Sequence, residues 1–364
     1  MKKLKLVSIL LLITTSSSYA QIISQNGYVR VVPVYQSWMV KGGSDFSEIS
    51  IPLLVYYPVN RNFSVSLRST GASATGDNIE TLSGATDTQL GFSYYLENTR
   101  LVFNLGVNLP TGKKKLSASE FQTSTLISNN IFNFHAPNFG QGLNVTAGFT
   151  WAQPVSDALV FGLGASYQYK GSFKPLDGFV EDYNPGDEIL LTGGFDARLG
   201  GTATFSSDVI FTLFATDKIG DDEVFAPGNR LVVNTQFRNY FGYNEFWLFL
   251  RYRSRAKNEQ AVILGGPLAS EAEKSNPNQF EVMTHYRLRL SPKFYLRILA
   301  EGRFYEKTPA VFSGATLLGG GLAPEFIASP RLTFPFIFKF LGGGFKDGPD
   351  ITGLEIGAGL VFNF

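Results

Sequence analysis

The residues whose type and spacing could do chemistry are arginines. Arg230 and Arg238, Arg251 and Arg253, Arg287 and Arg289, and Arg297 and Arg303 fall in four successive segments, each pair separated by an even number of residues. Even spacing puts both members on one face of a β-strand. Four neighbouring strands would then carry a basic arc on one wall. Such an arc can attract anions or acidic headgroups, because rings of charge set the selectivity of a pore. The same guanidiniums could instead brace a lumen against acids of matching parity, of which Glu188, Asp196, Glu301 and Glu355 are the candidates. The two roles are compatible.

Other chemistries have less to build on. His135 and His285 are the only histidines. His285 shares its strand face with Met283 and Arg287, and no serine or carboxylate is matched to it as a triad. No catalytic residue is therefore assigned, and the chain is expected not to be an enzyme. There are no cysteines, so disulfides and thiolate metal sites are unavailable. No phosphate loop, calcium loop or metal-ligand cluster occurs, and no cofactor is expected. A net charge of +1 gives no argument for nucleic acid.

The elements that must hold the arginines alternate with period two. In Gly353 to Phe364, Leu354, Ile356, Ala358, Leu360, Phe362 and Phe364 are apolar, while Gly353, Glu355, Gly357, Gly359 and Asn363 are small or polar. That is a strand with one greasy and one wet face. A last strand ending in Phe, with Leu360, Phe362 and Phe364 outward, resembles the signal by which outer-membrane barrels are recognised for assembly. Leu101 to Leu109 alternates alike, with Leu101, Phe103, Leu105, Val107 and Leu109 facing lipid. Glu188 to Phe205 reads as one such run, with Glu188, Asp196 and Arg198 inward. An Arg on the lipid face at mid-membrane costs about 2–4 kcal/mol, so the arginines belong inside. The interior is expected to be wet and charged in strand after strand, which a packed soluble core would not tolerate.

Short breaks with turn residues separate these runs: Pro58 to Asn62, Glu97 to Arg100, Val155 to Asp157, Ser206 to Asp208, Gly242 to Asn244, Ser291 to Lys293 and Ser329 to Arg331. Aromatics beside them, Tyr56, Tyr57, Phe63, Tyr94, Tyr95, Trp151, Tyr240, Phe246 and Phe294, predict a girdle at the membrane interface. The other breaks are longer: Gly71 to Thr86, Pro110 to Gly142, Gly171 to Asp187, Asp217 to Asn229 and Ala256 to Asn278. Short periplasmic turns alternating with long outer loops predict a transmembrane antiparallel up-and-down β-barrel of about sixteen strands, within a range of twelve to sixteen. The strand near Phe63 to Ser69 is short, and Thr316 to Ala328 is Gly-rich and carries Pro324. The longest loop, Pro110 to Gly142, follows the fifth strand. Its Ser117-Ala-Ser-Glu120 is a capping box, so a short helix is expected over Phe121 to Ile131. The loop could narrow the barrel from within, meet apolar solutes at the mouth, or only shield the rim.

Met1 to Lys5 is basic, Leu6 to Ile13 is an apolar run too short to span a bilayer, and Ser18 and Ala20 are small. This predicts a signal peptide over residues 1–20, cut near Ala20, and one barrel domain over 21–364. The expected location is the bacterial outer membrane. Expected partners are the lipid bilayer and lipopolysaccharide, the barrel-assembly machinery, and a small-molecule solute.

Asp87-Thr-Gln-Leu-Gly-Phe-Ser-Tyr94, followed by a strand, a turn and Asn108-Leu-Pro-Thr-Gly112, resembles the MetA-pathway phenol-degradation family of outer-membrane transporters. Tyr183-Asn-Pro-Gly-Asp-Glu188 is similar to that group too. The likeness covers about Leu82 to Leu199. That family is loosely grouped with the barrels for long-chain fatty acids and aromatic hydrocarbons. The resemblance implies passage of small hydrophobic or aromatic compounds. The chain departs from the fatty-acid barrels in lacking an obvious amino-terminal plug, unless Gly27 to Asp45 supplies one, and in exceeding their fourteen strands. The alternatives are a general anion-preferring porin and a surface structural or adhesive barrel with a blocked lumen.

Overall fold

The computed structural model describes residues 26–364 other than Lys114 and Val311. The expected signal peptide and its cleavage site lie outside the described residues. The described chain is a closed antiparallel barrel of sixteen strands. They are β1 (Tyr28–Val31 and Val34–Val40), β2 (Phe46–Pro58), β3 (Phe63–Gly76), β4 (Ile79–Ala85 and Thr88–Leu96), β5 (Leu101–Leu109), β6 (Asn144–Pro154), β7 (Leu159–Lys170) and β8 (Glu188–Leu199). There follow β9 (Ala203–Phe214), β10 (Arg230–Phe241), β11 (Asn244–Arg255), β12 (Gln279–Ser291), β13 (Phe294–Tyr305), β14 (Ala315–Ser329), β15 (Leu332–Phe345) and β16 (Asp350–Ala358 and Leu360–Asn363). Each strand pairs with the next. The barrel closes where Tyr28–Val31 pairs with Leu360–Asn363 and Val34–Val40 with Ile351–Gly357. Gly27 and Phe364 exchange backbone hydrogen bonds at 3.0 and 2.9 Å. Closure leaves no sheet edge in the lipid, where an unpaired backbone group would have no partner.

The period-two reading holds in register. Ile49, Phe103, Phe161, Leu191, Phe211, Phe338 and Ile356 stand exposed on the outside. Among the described residues no helix is long and apolar enough to cross a membrane. The residues expected as a possible plug, Gly27 to Asp45, are largely β1, which closes the barrel.

Three expectations are corrected. Ser206 to Asp208 is not a turn but the middle of β9, and the turn lies at Gly200 to Thr202, where Gly200 takes φ +69°. Asp208 faces the lumen and accepts from Asn234 Nδ2 at 2.9 Å, so its polarity marks the inner face, not a chain reversal. Gly71 to Thr86 is not a loop: β3 and β4 continue through it as a long hairpin turning at Asp77-Asn78. The girdle is smaller than expected. Tyr57, Tyr94 and Trp151 point outward, but Tyr56 is buried in the lumen against Tyr28, with ring centroids 5.6 Å apart. Tyr95 and Tyr240 share its inward parity, opposite Val102 and Glu245.

Candidate functional site: a loop-divided lumen

The loop Pro110 to Gly142 folds into the barrel. Its ends are tied by one carboxylate. Asp87 Oδ1 accepts from the Gly112 backbone at 2.8 Å, and Oδ2 accepts from the Gln141 backbone at 2.7 Å and Asn108 Nδ2 at 2.9 Å. A Cβ on Gly112 would lie 1.8 Å from the Phe139 carbonyl oxygen, so only glycine lets the two legs approach. Asp87, Asn108 and Gly112 are therefore the parts of one loop clamp. The second motif does the same work: the Asp217 carboxylate accepts from Gly186 N at 2.7 Å and from the Tyr183 hydroxyl at 2.5 Å.

The helix α1 (Ala118–Ile127) starts at the capping box as expected but stops four residues short of Ile131. Ser117 Oγ accepts from Glu120 N at 3.1 Å, and the Glu120 carboxylate accepts from Ser117 N at 3.0 Å. Lys113 also pairs with Glu120, and holds its carboxyl below the ordinary range, helped by the Ser117 backbone. Thr123 Oγ1 donates to the Glu80 carbonyl at 2.7 Å, which seats α1 on the upper β3–β4 hairpin.

Beyond α1 the chain turns down one wall. Phe132 is fully buried, with ring centroids 4.5 Å from Phe46, 5.7 Å from Trp38 and 5.3 Å from Phe312. Ile127, Ile131 and Phe134 join it against Leu82, Leu317, Leu341 and Ile351 of the barrel wall. The expectation of a wet interior in every strand fails here. Upper inward positions of β1 to β4 and β14 to β16 are apolar because the loop covers them, and a buried Phe contributes about 1.5–3 kcal/mol.

Below this core the loop meets polar groups. His135 N donates to Gln36 Oε1 at 3.1 Å, and Ala136 N to Glu48 Oε1 at 3.0 Å. Arg303 Nη1 donates to the Ile131 carbonyl at 3.2 Å, and the Tyr305 hydroxyl to the Asn130 carbonyl at 2.9 Å. A charge chain lies beneath. Arg303 Nε is 2.5 Å from Glu301, Lys339 Nζ is 3.2 Å from Glu301 and 2.8 Å from Glu355, and His135 Nε2 is 3.7 Å from Glu355.

All eight arginines of the expected arc face the lumen, on β10 to β13. The structure sorts them into two groups. Arg238 pairs with Glu245 at 3.2 Å, Arg251 with Glu281 at 3.6 Å, and Arg287 and Arg297 with Glu325 at 3.1 and 2.5 Å. Arg303 pairs with Glu301, and Arg289 lies over the Tyr243 ring at 4.0 Å. Arg230 and Arg253 have no carboxylate within 4 Å among the described residues, nor has Arg255, which the sequence reading missed although its even spacing from Arg253 puts it on the same face. Arg230 and Arg255 lie over the Phe214 ring at 5.5 and 4.7 Å, and Arg253 Nη1 donates to Gln279 Oε1 at 3.3 Å.

Of the expected acids, only Glu301 pairs with an arginine of the arc. Glu188 pairs with Lys170 at 2.5 Å and Glu355 with Lys339; Asp196 is exposed near the periplasmic end of β8. The principal braces are Glu245, Glu281 and Glu325. Like Lys339 and Glu48 they sit at inward parity, which was the available signal. Leu360, Phe362 and Phe364 face outward, and the Phe364 ring stacks on Phe362 at 6.2 Å and Tyr57 at 6.1 Å. His285 stacks on Trp247 at 5.0 Å, its Nε2 3.7 Å from Glu245. Among the described residues no group of His, Asp or Glu could hold a metal ion.

Between the loop and the arginine wall lies a cavity of about 440 Å³. Arg230, Arg251, Arg253 and Arg255 line one side; Asn129, Asn130, Asn133, Ile131 and Phe134 of the loop line the other. No loop carboxylate opposes the guanidiniums there. The cavity is positive on one face and amide and apolar on the other.

No protein-family model matches the chain, and no curated protein matches it. Solved structures do. CdiB from Acinetobacter baumannii aligns over 92% of this chain and 60% of its own, with 9% identity and a TM-score of 0.53. OprB from Pseudomonas putida aligns over 93% and 94%, with 10% identity and a TM-score of 0.49. OccK5 (OpdH) from Pseudomonas aeruginosa aligns over 93% and 98%, with 11% identity and a TM-score of 0.48. At such identities the likeness is one of fold alone, an antiparallel β-barrel. It spans three-fifths of the CdiB chain.

Proposed function

We propose that this chain is an outer-membrane channel for small solutes, and that its constriction favours organic anions with an apolar or aromatic body. The observation that carries this reading is the cavity of about 440 Å³ between the loop and the unpaired Arg230, Arg253 and Arg255. Guanidiniums without a protein carboxylate are free to take one from a solute, in bidentate fashion. Ile131, Phe134 and Phe312 on the facing side suit the rest of such a molecule. The resemblance to the phenol-degradation transporters supports the aromatic part of the reading. Lipid on the outer face and assembly through the terminal strand belong to the same proposal.

The test is current through the refolded protein in a planar bilayer under a salt gradient. Anion preference is expected. The double variant Arg253→Glu/Arg255→Glu should shift the anion-to-cation ratio about tenfold or more, as two reversed charges in a narrow site would. Arg287→Gln, which touches a paired arginine, should leave the ratio nearly unchanged. Benzoate added on one side should interrupt the wild-type current. A wild type that passes neither salt nor benzoate would overturn the channel reading and favour a blocked surface barrel.

A further inference from the structure

The loop divides the lumen, and its other side holds a second polar chamber. Two adjoining clefts of about 380 and 260 Å³ lie between the returning leg of the loop and the inner face of β3 to β7. Arg68, Gln89, Asn108 and Gln141 line both, so the clefts are continuous. Pro137 alone lines both this chamber and the arginine cavity.

The chemistry differs from the arginine side. Asp87 is already engaged by three donors. The side chains of Gln89, Gln141 and Gln168 make no hydrogen bond to the described protein, so three amides present both a donor and an acceptor to the cleft. Asn144 is 5% exposed, lines the cleft, and its Oδ1 receives no donor. Inward glycines, Gly91 and Gly106, keep the wall low beside them.

We propose that this cleft binds and passes neutral polyhydroxylated solutes of monosaccharide size, as a route separate from the arginine side. The free acceptors decide the class. The amide oxygens of Gln89, Gln141 and Gln168 need a donor, and a carboxylate has none to give. A hydroxyl donates and accepts, so it can satisfy both atoms of an amide. Arg68, one guanidinium against the four that line the other cavity, then donates to ring or hydroxyl oxygens. A buried polar group left unpaired costs more than a pair gains, so the site rejects apolar solutes.

The experiment is swelling of proteoliposomes in iso-osmotic glucose and, separately, in potassium benzoate. Wild type, Arg253→Glu/Arg255→Glu and Gln89→Leu/Gln168→Leu are compared, with heat-modifiable gel mobility to verify folded barrel. Glucose entry should fall about tenfold in Gln89→Leu/Gln168→Leu, the loss of two amide hydrogen bonds, while benzoate entry stays within about twofold. The arginine variant should show the reverse. If Gln89→Leu/Gln168→Leu does not fold, Gln89→Ala alone should still lower glucose entry about threefold. Unchanged glucose entry in the glutamine variants overturns the proposal, as does a parallel fall of both solutes in the arginine variant, which would mean one shared route. Glucose entry without benzoate entry in wild type would overturn the anion reading and leave this one standing.

Discussion

Two walls of the same barrel obey the same inward period and carry opposite contents. On β1 to β4 and β14 to β16 the upper inward positions are Trp38, Phe46, Leu82, Leu317, Leu341 and Ile351; on β10 and β11 they are Arg230, Arg253 and Arg255. The difference is the loop. Where Pro110 to Gly142 lies on the wall, water is excluded and the interior becomes a core. Where the loop stands off, a cavity of about 440 Å³ remains beside the guanidiniums. Charge follows the same division. Beneath the loop, Lys339 and Arg303 are paired with Glu301 and Glu355; facing open lumen, Arg230, Arg253 and Arg255 are not. The contrast among inward charges is between those held by carboxylates and these three, with Arg251 on the cavity wall held by Glu281.

The sharpest way to break that contrast is Lys339→Met. It leaves Glu301 and Glu355 facing each other without their shared cation, and should cost about 3–5 kcal/mol, read as a lower unfolding midpoint in denaturant. Comparable removal of an unpaired arginine, Arg253→Met, should change the midpoint little. Phe132→Ala should cost about 3–4 kcal/mol of loop docking, with Trp38 and Phe46 losing their partner. Its checks are loop proteolysis and a larger, noisier single-channel current. Ser117→Ala should cost about 1 kcal/mol, because α1 loses its cap, read as faster cleavage of residues 117–127. The smallest effect is one of pH. The Glu120 carboxyl is held below its ordinary value of 4.5, so its folded form binds the proton less readily than the unfolded one. Its contribution is therefore whole at neutral pH, begins to fall near 4.5 and is gone below the depressed folded value. Loop protection followed from pH 6 downward should stay flat to about 4.5 in wild type, and Glu120→Gln should remove that acid sensitivity.

Much of this was legible in the chain, and the reason is local. Alternation in Leu101 to Leu109 and Gly353 to Phe364 states which face meets lipid, since each side chain's face follows from its own position in the pleat. The same parity put the arginines inside and would have placed Arg255, Glu325 and Lys339 there. It failed where one residue type serves two purposes. Ser206 to Asp208 looked like a turn because turn residues and lumen residues are both polar. Tyr56 looked like girdle because an aromatic beside a turn can point either way. Asp87, Asn108 and Gly112 stood out as a motif, but their common purpose, holding two legs of one loop, depends on residues far apart in the chain.

The sequence by itself determined the barrel, its approximate strand number, the inward face of each arginine and the capped helix, because these rest on the pleat and on near neighbours. Only the tertiary structure decided that the long loop enters the lumen, which wall it covers, and hence which arginines are paired. Those outcomes depend on distances between strands remote in sequence, and no periodicity along one strand contains them.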